Sequence, residues 1–491
     1  MADDIKPPKR PKAYDEAAMG DLRVFLQKAE QAGEFHVIQN ADPHLEIGTL
    51  FELSHENLYP PVMLFENMKG CDPTHRILCN VRVAHFVVGD LNLDAVKAYR
   101  SRPKEKKEPI PPRLVNTGPV FENVIEGDDV DISKFPAPKW HQKDGGAYIG
   151  TECVVVTKDP DSDWVNLGTY RVIIHDNKTL GIFIENGKHG DQIRRKYWAK
   201  GKPCPIAVSV GQAPILGVVG SNTTKPGVSE YAEAGGRIGR PVDVVLGRHT
   251  GLPIPADSEL VFEGFMPPPE EDARPEGPFG EWPGYYASDS RPEPVLHVKA
   301  IYHRHNPIII GQPPTKPTYP GRQIKIPHVA QLWDSLEAAG VPGIKAVWKM
   351  PGAGSRFMDV ISIKQMHAGH AKMAGLVAAG CLAGGYMTRL VVVVDDDIDI
   401  TNPAEVMWAM STRWDPKTQT DIIDGCWTGQ IDPRLPPEKR DNGDTTTSRM
   451  IVYAVRPWHW INEFPKVNEV EKDFAEEVRQ KWAAELDFLR K

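Results

Sequence analysis

Apolar positions change their period along this chain, and each change predicts a different kind of element. Between Asp21 and Ala32, Leu22, Phe25 and Leu26 fall on one face of a 3.6-residue turn, which predicts an amphipathic helix. Further on, TECVVVTKD and WVNLGTYRVII flank the turn sequence DPDSD and predict a β-hairpin. PVDVVLG, ELVFEGFM and PVLHVKAIYHR continue this β-rich middle. The last third alternates: a helix near Val329–Ala339, strand DVISI, helix His370–Ala379, strand RLVVVV and helix Ala404–Ser411. Such alternation predicts βαβ units and a mostly parallel sheet. In the tail, Val467–Leu489, helical spacing of Val470, Phe474, Val478, Trp482 and Leu486 predicts an amphipathic helix. Its apolar stripe needs a cover from its own subunit or a neighbour rather than lipid.

Two Pro- and charge-rich segments, Arg100–Arg113 and Gly311–Arg322, read as connections between domains. The length, 491 residues, agrees with about three domains at roughly 150 residues each. With 41% apolar and 25% charged residues, wholesale disorder is excluded. A net charge of −8 argues against a nucleic-acid groove or a polybasic membrane surface. The six cysteines form no C-x-x-C pair and read as free thiols of a reducing compartment. The N-terminal MADDIKPPKRPKAYDE lacks the apolar core of a signal peptide. The apolar run Met373–Met387 contains glycines and is followed by aspartates, so it reads as a buried helix feeding a strand, not as a membrane span. A cytoplasmic protein without an integral membrane segment or nucleic-acid partner is expected.

Two motifs offer generic chemistry. GAGSRF (Gly352–Phe357) follows no clear strand and lacks the third glycine of a dinucleotide fingerprint, so it reads as a turn. DDDID (Asp395–Asp399) follows the strand LVVVV at its carboxyl end, where a carboxylate cluster can hold Mg²⁺ in a metal-dependent transferase. The competing and favoured reading is a solvated loop that caps the next helix.

Four motifs in the middle third are more informative together than singly. In WVNLGTYR, Asn166 and Arg171 lie roughly 16 Å apart on an extended chain, and Gly168 between them permits a bulge or twist. GKHG presents His189 in a glycine-flanked loop, where neutral imidazole is a ligand. KPGVSEYAEAGG places Ser229 where it can cap a helix beginning with Glu230. RPEGPFGEWPGYY carries Glu276 and Glu281 in a loop dense in Pro and Gly that folds back on itself. Two such carboxyls brought near an Arg form an acid/base device, because like charges keep one of them protonated.

The order N-x-G-x-Y-R, x-H-G, S-E-Y-A-x-A-G, P-E-G-P-F-G-E-x-x-G-Y-Y resembles the UbiD-like decarboxylases. The pattern continues through GHAK (Gly369–Lys372), VVVDDDID and VMWAMSTR (Val406–Arg413). This resemblance implies a mixed α/β and α+β multidomain fold. An N-terminal α/β domain (1–113) would precede a central split β-barrel flavin domain (114–315), and a C-terminal α/β oligomerisation domain (316–491) would end in the tail helix. The implied cofactor is prenylated FMN, an electrophilic ring that acts as an electron sink, supplied by a flavin prenyltransferase. By the same resemblance, Asn166, His189 and Glu230 are ligands of Mn²⁺ or another divalent metal that bridges to the cofactor phosphate. K⁺ is implied beside it, on Glu230 and backbone carbonyls near Leu167 and Gly220–Thr223. Thr169, Tyr170, Arg171, Lys188 and His189 are the implied cofactor contacts. Arg171, Glu276 and Glu281 match the family's catalytic set, with Glu281 as proton donor to the carbon that loses CO₂. The chain departs from some members after Arg171, where no R-W-L triplet occurs and Phe183–Glu185 form the pocket wall. The expected activity is reversible decarboxylation of an aromatic, heteroaromatic or α,β-unsaturated acid by a homodimer or homohexamer. The alternatives are the Asp395–Asp399 transferase and a non-catalytic flavin-binding scaffold.

Overall fold

The structure, a computed structural model, describes residues 16–57, 60–81, 92–101, 108–222, 224–286, 289–318, 326–354, 356–483 and 485. The basic run KPPKRPK, residues 102–107 and 319–322 of the two connecting segments, Thr223, Ser355 of GAGSRF and Leu486 of the tail lie outside them.

The first helix runs over Leu22–Gln31, where Asp21 caps it by accepting the N–H groups of Arg23 and Val24. It buries Leu22, Phe25 and Ala29 on a four-stranded sheet. Three strands of that sheet come from the first eighty residues, Phe35–Gln39, Val62–Glu66 and Arg76–Cys79. The fourth, Ile308–Gly311, arrives from far along the chain and pairs parallel with Arg76–Cys79.

The middle of the chain forms a ten-stranded, wholly antiparallel sheet. The expected hairpin is present: Cys153–Lys158 pairs with Val165–Gly168 in the register Val155↔Gly168. Beyond it the order runs through Cys204–Val210, Leu260–Met266, Arg291–His303, Thr179–Ile182 and Val172–Asp176 to Tyr148–Gly150. The long strand Arg291–His303 also pairs with Asn123–Glu126 and Ala273–Glu276. Among the described residues the first and last strands of this order do not pair, so the sheet stays open. Cys153, Val155 and Val208 face one core, whereas Val154, Val156 and Ala207 face another. Burial of both faces explains why CVVV is continuously apolar rather than alternating.

The last third folds around a five-stranded sheet ordered Ile344–Lys349, Met358–Ile363, Leu390–Asp395, Thr446–Ala454, Thr420–Trp427. The predicted helices occur as Ile326–Ala338, His370–Gly380 and Pro403–Thr412. The parallel pairing expected from the alternation holds only at the centre, and both edge strands are antiparallel. For one edge the reason is local: only the short turn around Pro351–Ala353 joins Ile344–Lys349 to Met358–Ile363, too little chain for a parallel crossover. The described residues of GAGSRF lie in that turn, as expected, although a strand does precede it.

The aspartate run is a turn in which Asp396, Asp397 and Asp399 are exposed, as expected, while Asp395 at the strand end departs from the solvated reading. Asp395 is buried, and its Oδ2 accepts from Arg413 Nη1 at 3.0 Å and from the N–H and Nε of Arg456 at 2.8 and 3.2 Å. Gln365 Nε2 donates to its other oxygen at 2.7 Å, and Asp397 takes a two-pronged grip from Arg413 at 2.7 and 2.8 Å. Both carboxylates are thus committed to guanidinium groups, which removes the electrostatic vacancy a transferase metal would need. Asp399 behaves as a turn residue, accepting the Thr401 N–H while Glu405 accepts its own.

The tail helix spans Lys472–Lys481, and Val470, Phe474 and Trp482 stay exposed. Its own chain does not supply their cover among the described residues. No described helix is long and apolar enough to cross a membrane.

Candidate active site

Val165–Gly168 breaks off at Gly168, because a Cβ there would lie 2.4 Å from the ring of Tyr170. The chain swings through Thr169, whose N–H donates to Gly220 O at 3.3 Å, and resumes as a strand at Val172. This kink is the departure from a flat strand that Asn166 and Arg171 require if both are to serve one site.

Arg171 emerges from the kink into a buried cluster. Its Nε and Nη2 meet Glu276 Oε1 and Oε2 at 2.7 and 2.8 Å, a fork-on-fork pair. Its Nη1 donates to Glu281 Oε1. The guanidinium carbon lies 4.2 Å from the ring centre of Phe183 and 5.7 Å from that of Phe279. Tyr148, at the sheet's end, donates its hydroxyl to Glu276 Oε1 at 3.0 Å.

The loop carrying Glu281 is fixed from both sides. Gly145 N–H donates to Pro278 O at 2.8 Å, an approach so close that a Cβ on Gly145 would sit 2.1 Å from Gly277 O. Tyr286 donates to buried Asp144 Oδ1 at 3.0 Å, and Glu281 N–H donates to Tyr285 O at 2.9 Å. Segment 144–148 therefore anchors the Glu281 loop and supplies the Tyr148 hydroxyl.

The charge count decides the chemistry. One guanidinium faces two carboxylates, so one carboxyl group holds a proton at little cost. Glu276 receives two Arg171 prongs and the Tyr148 hydroxyl, while Glu281 receives a single prong. Burial pushes the Glu281 carboxyl up to about 7, with Glu276 and Glu185 adding to the rise and Arg171 opposing it. Burial works against the Arg171 charge, yet its bonds to Glu276 hold its pKa above the ordinary value. The cluster is therefore a cation, a well-held carboxylate and a carboxyl group that exchanges protons near neutrality.

A second group of candidates lies on the other side of the kink. Glu230 opens helix Glu230–Ile238, is buried, and accepts the Leu167 N–H at 2.8 Å, beside Asn166. Burial raises its pKa against the hydrogen bonds from the Leu167 and Glu230 N–H groups and Thr224, which oppose the rise. Asn166 is buried, donating through Nδ2 to Thr157 Oγ1 at 3.4 Å, with no bond to its Oδ1 among the described residues. His189 opens helix His189–Ala199 with its ring 4.9 Å from that of Trp164. Burial, and then Lys188, lower its pKa toward the neutral imidazole. Ser229 occupies the N-cap position but makes no capping bond, and its buried hydroxyl has no partner.

These observations fit a divalent cation and a phosphate. Amide oxygen, imidazole and carboxylate suit Mn²⁺, a buried carboxylate without a cationic partner among the described residues leaves charge for a cation, and two helix N-termini favour an anion. Among the described residues no three His, Cys, Asp or Glu side chains converge, and the candidate set includes an amide as its third donor. Tyr170 lies between the two groups, its phenol pushed up to about 12 by burial and its oxygen at Gly190. Lys188 is half-exposed, with its Nζ 3.8 Å from Glu185 Oε2. Phe183 belongs to the wall segment the resemblance implied, whereas Tyr148 and Phe279 were not legible as parts of the cluster; Tyr148 and Glu276 lie 128 residues apart.

A pyrrole-2-carboxylic acid decarboxylase of Pseudomonas aeruginosa is 32% identical over 421 residues, covering 81% of this chain and 83% of that enzyme. The chain belongs to the UbiD family. Residues 113–317 match the 3-octaprenyl-4-hydroxybenzoate carboxy-lyase Rift-related domain, and residues 323–454 match the C-terminal domain of the same carboxy-lyase. Among solved UbiD-class structures, an evolved dimeric form of HmfF from Pelotomaculum thermopropionicum in complex with prFMN is 28% identical. It superposes with a TM-score of 0.73, covering 92% of this chain and 97% of that one. Apo 3,4-dihydroxybenzoic acid decarboxylase of Klebsiella pneumoniae is 25% identical with a TM-score of 0.78, covering 93% and 99%. Membership of UbiD, a carboxy-lyase family, accounts for the mixed α/β multidomain fold.

Proposed function

We propose that this UbiD-family protein reversibly decarboxylates an aromatic, heteroaromatic or α,β-unsaturated carboxylic acid with prenylated FMN, using Glu281 as proton donor. The observation that carries the proposal is a carboxyl group near pKa 7 sharing one guanidinium with a second carboxylate. The named substrates of the relatives, pyrrole-2-carboxylic and 3,4-dihydroxybenzoic acids, support the substrate class. Bound prenylated FMN supplies the electron sink that amino-acid side chains lack.

Asn166, His189 and Glu230 would hold Mn²⁺ and, through it, the cofactor phosphate. K⁺ would share Glu230 with the Leu167 and Gly220 carbonyls, although Gly220 O already accepts from Thr169. Thr169, Tyr170, Arg171, Lys188 and His189 would border the cofactor. Arg171 orients Glu276, Glu276 keeps Glu281 protonated, and Glu281 gives its proton to the carbon that CO₂ leaves. Phe183 and Phe279 exclude water from that exchange.

The ten-stranded sheet is read as the split barrel of a flavin domain (114–315), between an N-terminal α/β domain (1–113) and a C-terminal one (316–491). The exposed stripe of the tail helix is read as part of a homo-oligomeric interface, in a dimer or hexamer. A flavin prenyltransferase would supply the cofactor.

Protein produced with a flavin prenyltransferase and given a panel of aromatic acids should release CO₂ from at least one. Replacing Glu230 with Ala should remove metal and flavin together, read by elemental analysis and absorbance. Full flavin occupancy in that variant would disprove the metal assignment.

A further inference from the structure

Half-buried Arg356 differs from the arginines that are closed off in the interior. Arg171, Arg194 and Arg413 grip carboxylates, and Arg449 donates to the carbonyls of Ala379, Gly385 and Thr388. The Arg356 guanidinium makes no ion pair or hydrogen bond among the described residues. Its flanks are aromatic instead, with the ring centres of Trp282 and Tyr386 each 5.7 Å from its central carbon. Asp359, whose field reaches it, is already held by Lys349 at 2.7 Å and by Thr388 at 3.3 Å. Burial disfavours the Arg356 charge, a cost that a bound anion would offset.

The position of this cation matters. Trp282 directly follows Glu281, and it stacks on Phe357 with ring centres 5.4 Å apart. Tyr386 feels the charges of Glu281 and Glu185, and its ring lies 4.6 Å from that of Trp427. Arg356 thus comes from the turn between Ile344–Lys349 and Met358–Ile363, while its aromatic neighbour Trp282 comes from the Glu281 loop. Arg171 is already bonded through Nε, Nη1 and Nη2 to its two glutamates. Flat apolar faces around one unpaired guanidinium match an aromatic ring that carries an anionic group.

We propose that Arg356 is a specificity-determining residue that binds a second carboxylate of the substrate, at the far side of the ring from the carboxylate that leaves as CO₂. The substrate class is narrowed to aromatic dicarboxylic acids. This rests on the decarboxylase reading above only for the location of the departing group.

Calorimetric titration of the cofactor-loaded protein with terephthalate, isophthalate and benzoate tests it, because binding is read without turnover. The wild type should bind the better dicarboxylate at least about 10-fold tighter than benzoate, as a charge-assisted pair requires. Arg356→Gln should bring that dicarboxylate to within about threefold of benzoate, and benzoate itself should move by less than threefold. Arg356→Lys should recover part of the gap, and it carries the comparison if the Gln variant fails to fold. A wild type without preference for dicarboxylates, or an equal loss for both acid types, would overturn the assignment. Retained discrimination without CO₂ release from any acid would remove the decarboxylase reading while supporting the Arg356 site.

Discussion

Arg171 and Asp395 each stand at the centre of a charge cluster, and the two clusters differ above all in their charge balance. Around Asp395, two aspartates meet the guanidinium groups of Arg413 and Arg456. Burial pushes Asp397 up, but the Arg413 grip outweighs it and holds the carboxyl below its usual range. Around Arg171, two glutamates share one cation, and Glu281 rises to about 7. Asp395 is as buried as Glu276, but Asp397 and Arg456 stay about a third exposed, so solvent as well as the second cation keeps that cluster from holding a proton. The balanced cluster ties helix Pro403–Thr412 to the C-terminal sheet, and the unbalanced one has a proton to give.

The largest expected effect separates them by readout. Glu281→Gln keeps size and hydrogen bonding but cannot cycle a proton, so turnover should fall by roughly 10² to 10⁴. Flavin content should not change, because Asn166, His189 and Glu230 lie elsewhere. Asp395→Asn should act the other way. It leaves the buried Arg413 and the part-exposed Arg456 facing one carboxylate, and urea unfolding should show a loss of about 3 kcal/mol. Turnover per folded, cofactor-loaded molecule should stay near the wild-type value; a drop comparable to that of Glu281→Gln would erase the contrast.

The pH dependence sharpens the comparison further. Glu281 must be protonated to act, so kcat should be level below about pH 7 and fall about tenfold per unit above it. The falling limb should disappear in Glu281→Gln and persist in Asp395→Asn. The smallest effect belongs to Tyr148→Phe, which removes one hydrogen bond to Glu276. Roughly a tenfold loss of kcat is expected, as for one hydrogen bond to a charged group, with KM nearly unchanged.

Much of this architecture was legible in the chain, and the parts that were not share a cause. Strand and helix periods marked the hairpin at Cys153–Lys158 and the helices of the last third, because local burial dictates them. Thr420–Trp427 escaped notice because this edge strand alternates weakly and leaves Ile422 exposed. In DDDID, Asp395 looked solvated because its neutralising arginines lie 18 and 61 residues away. The loop dense in Pro and Gly correctly suggested that Glu276 and Glu281 converge, since its composition forces a turn. Tyr148 carried no such signal, its partner being distant in sequence. Ser229 was legible as an N-cap by type, yet its hydroxyl makes no capping bond.

The central claim is that Glu281, not Glu276, delivers the proton. The most direct test follows exchange of the product C–H with D₂O in cofactor-loaded Glu281→Gln and Glu276→Gln proteins. Exchange should be nearly abolished in Glu281→Gln. In Glu276→Gln it should persist at a reduced rate, because that substitution disturbs Arg171 and the Glu281 pKa without removing the donor. Near-wild-type exchange in Glu281→Gln would contradict the claim and move the donor role to Glu276 or a bound water.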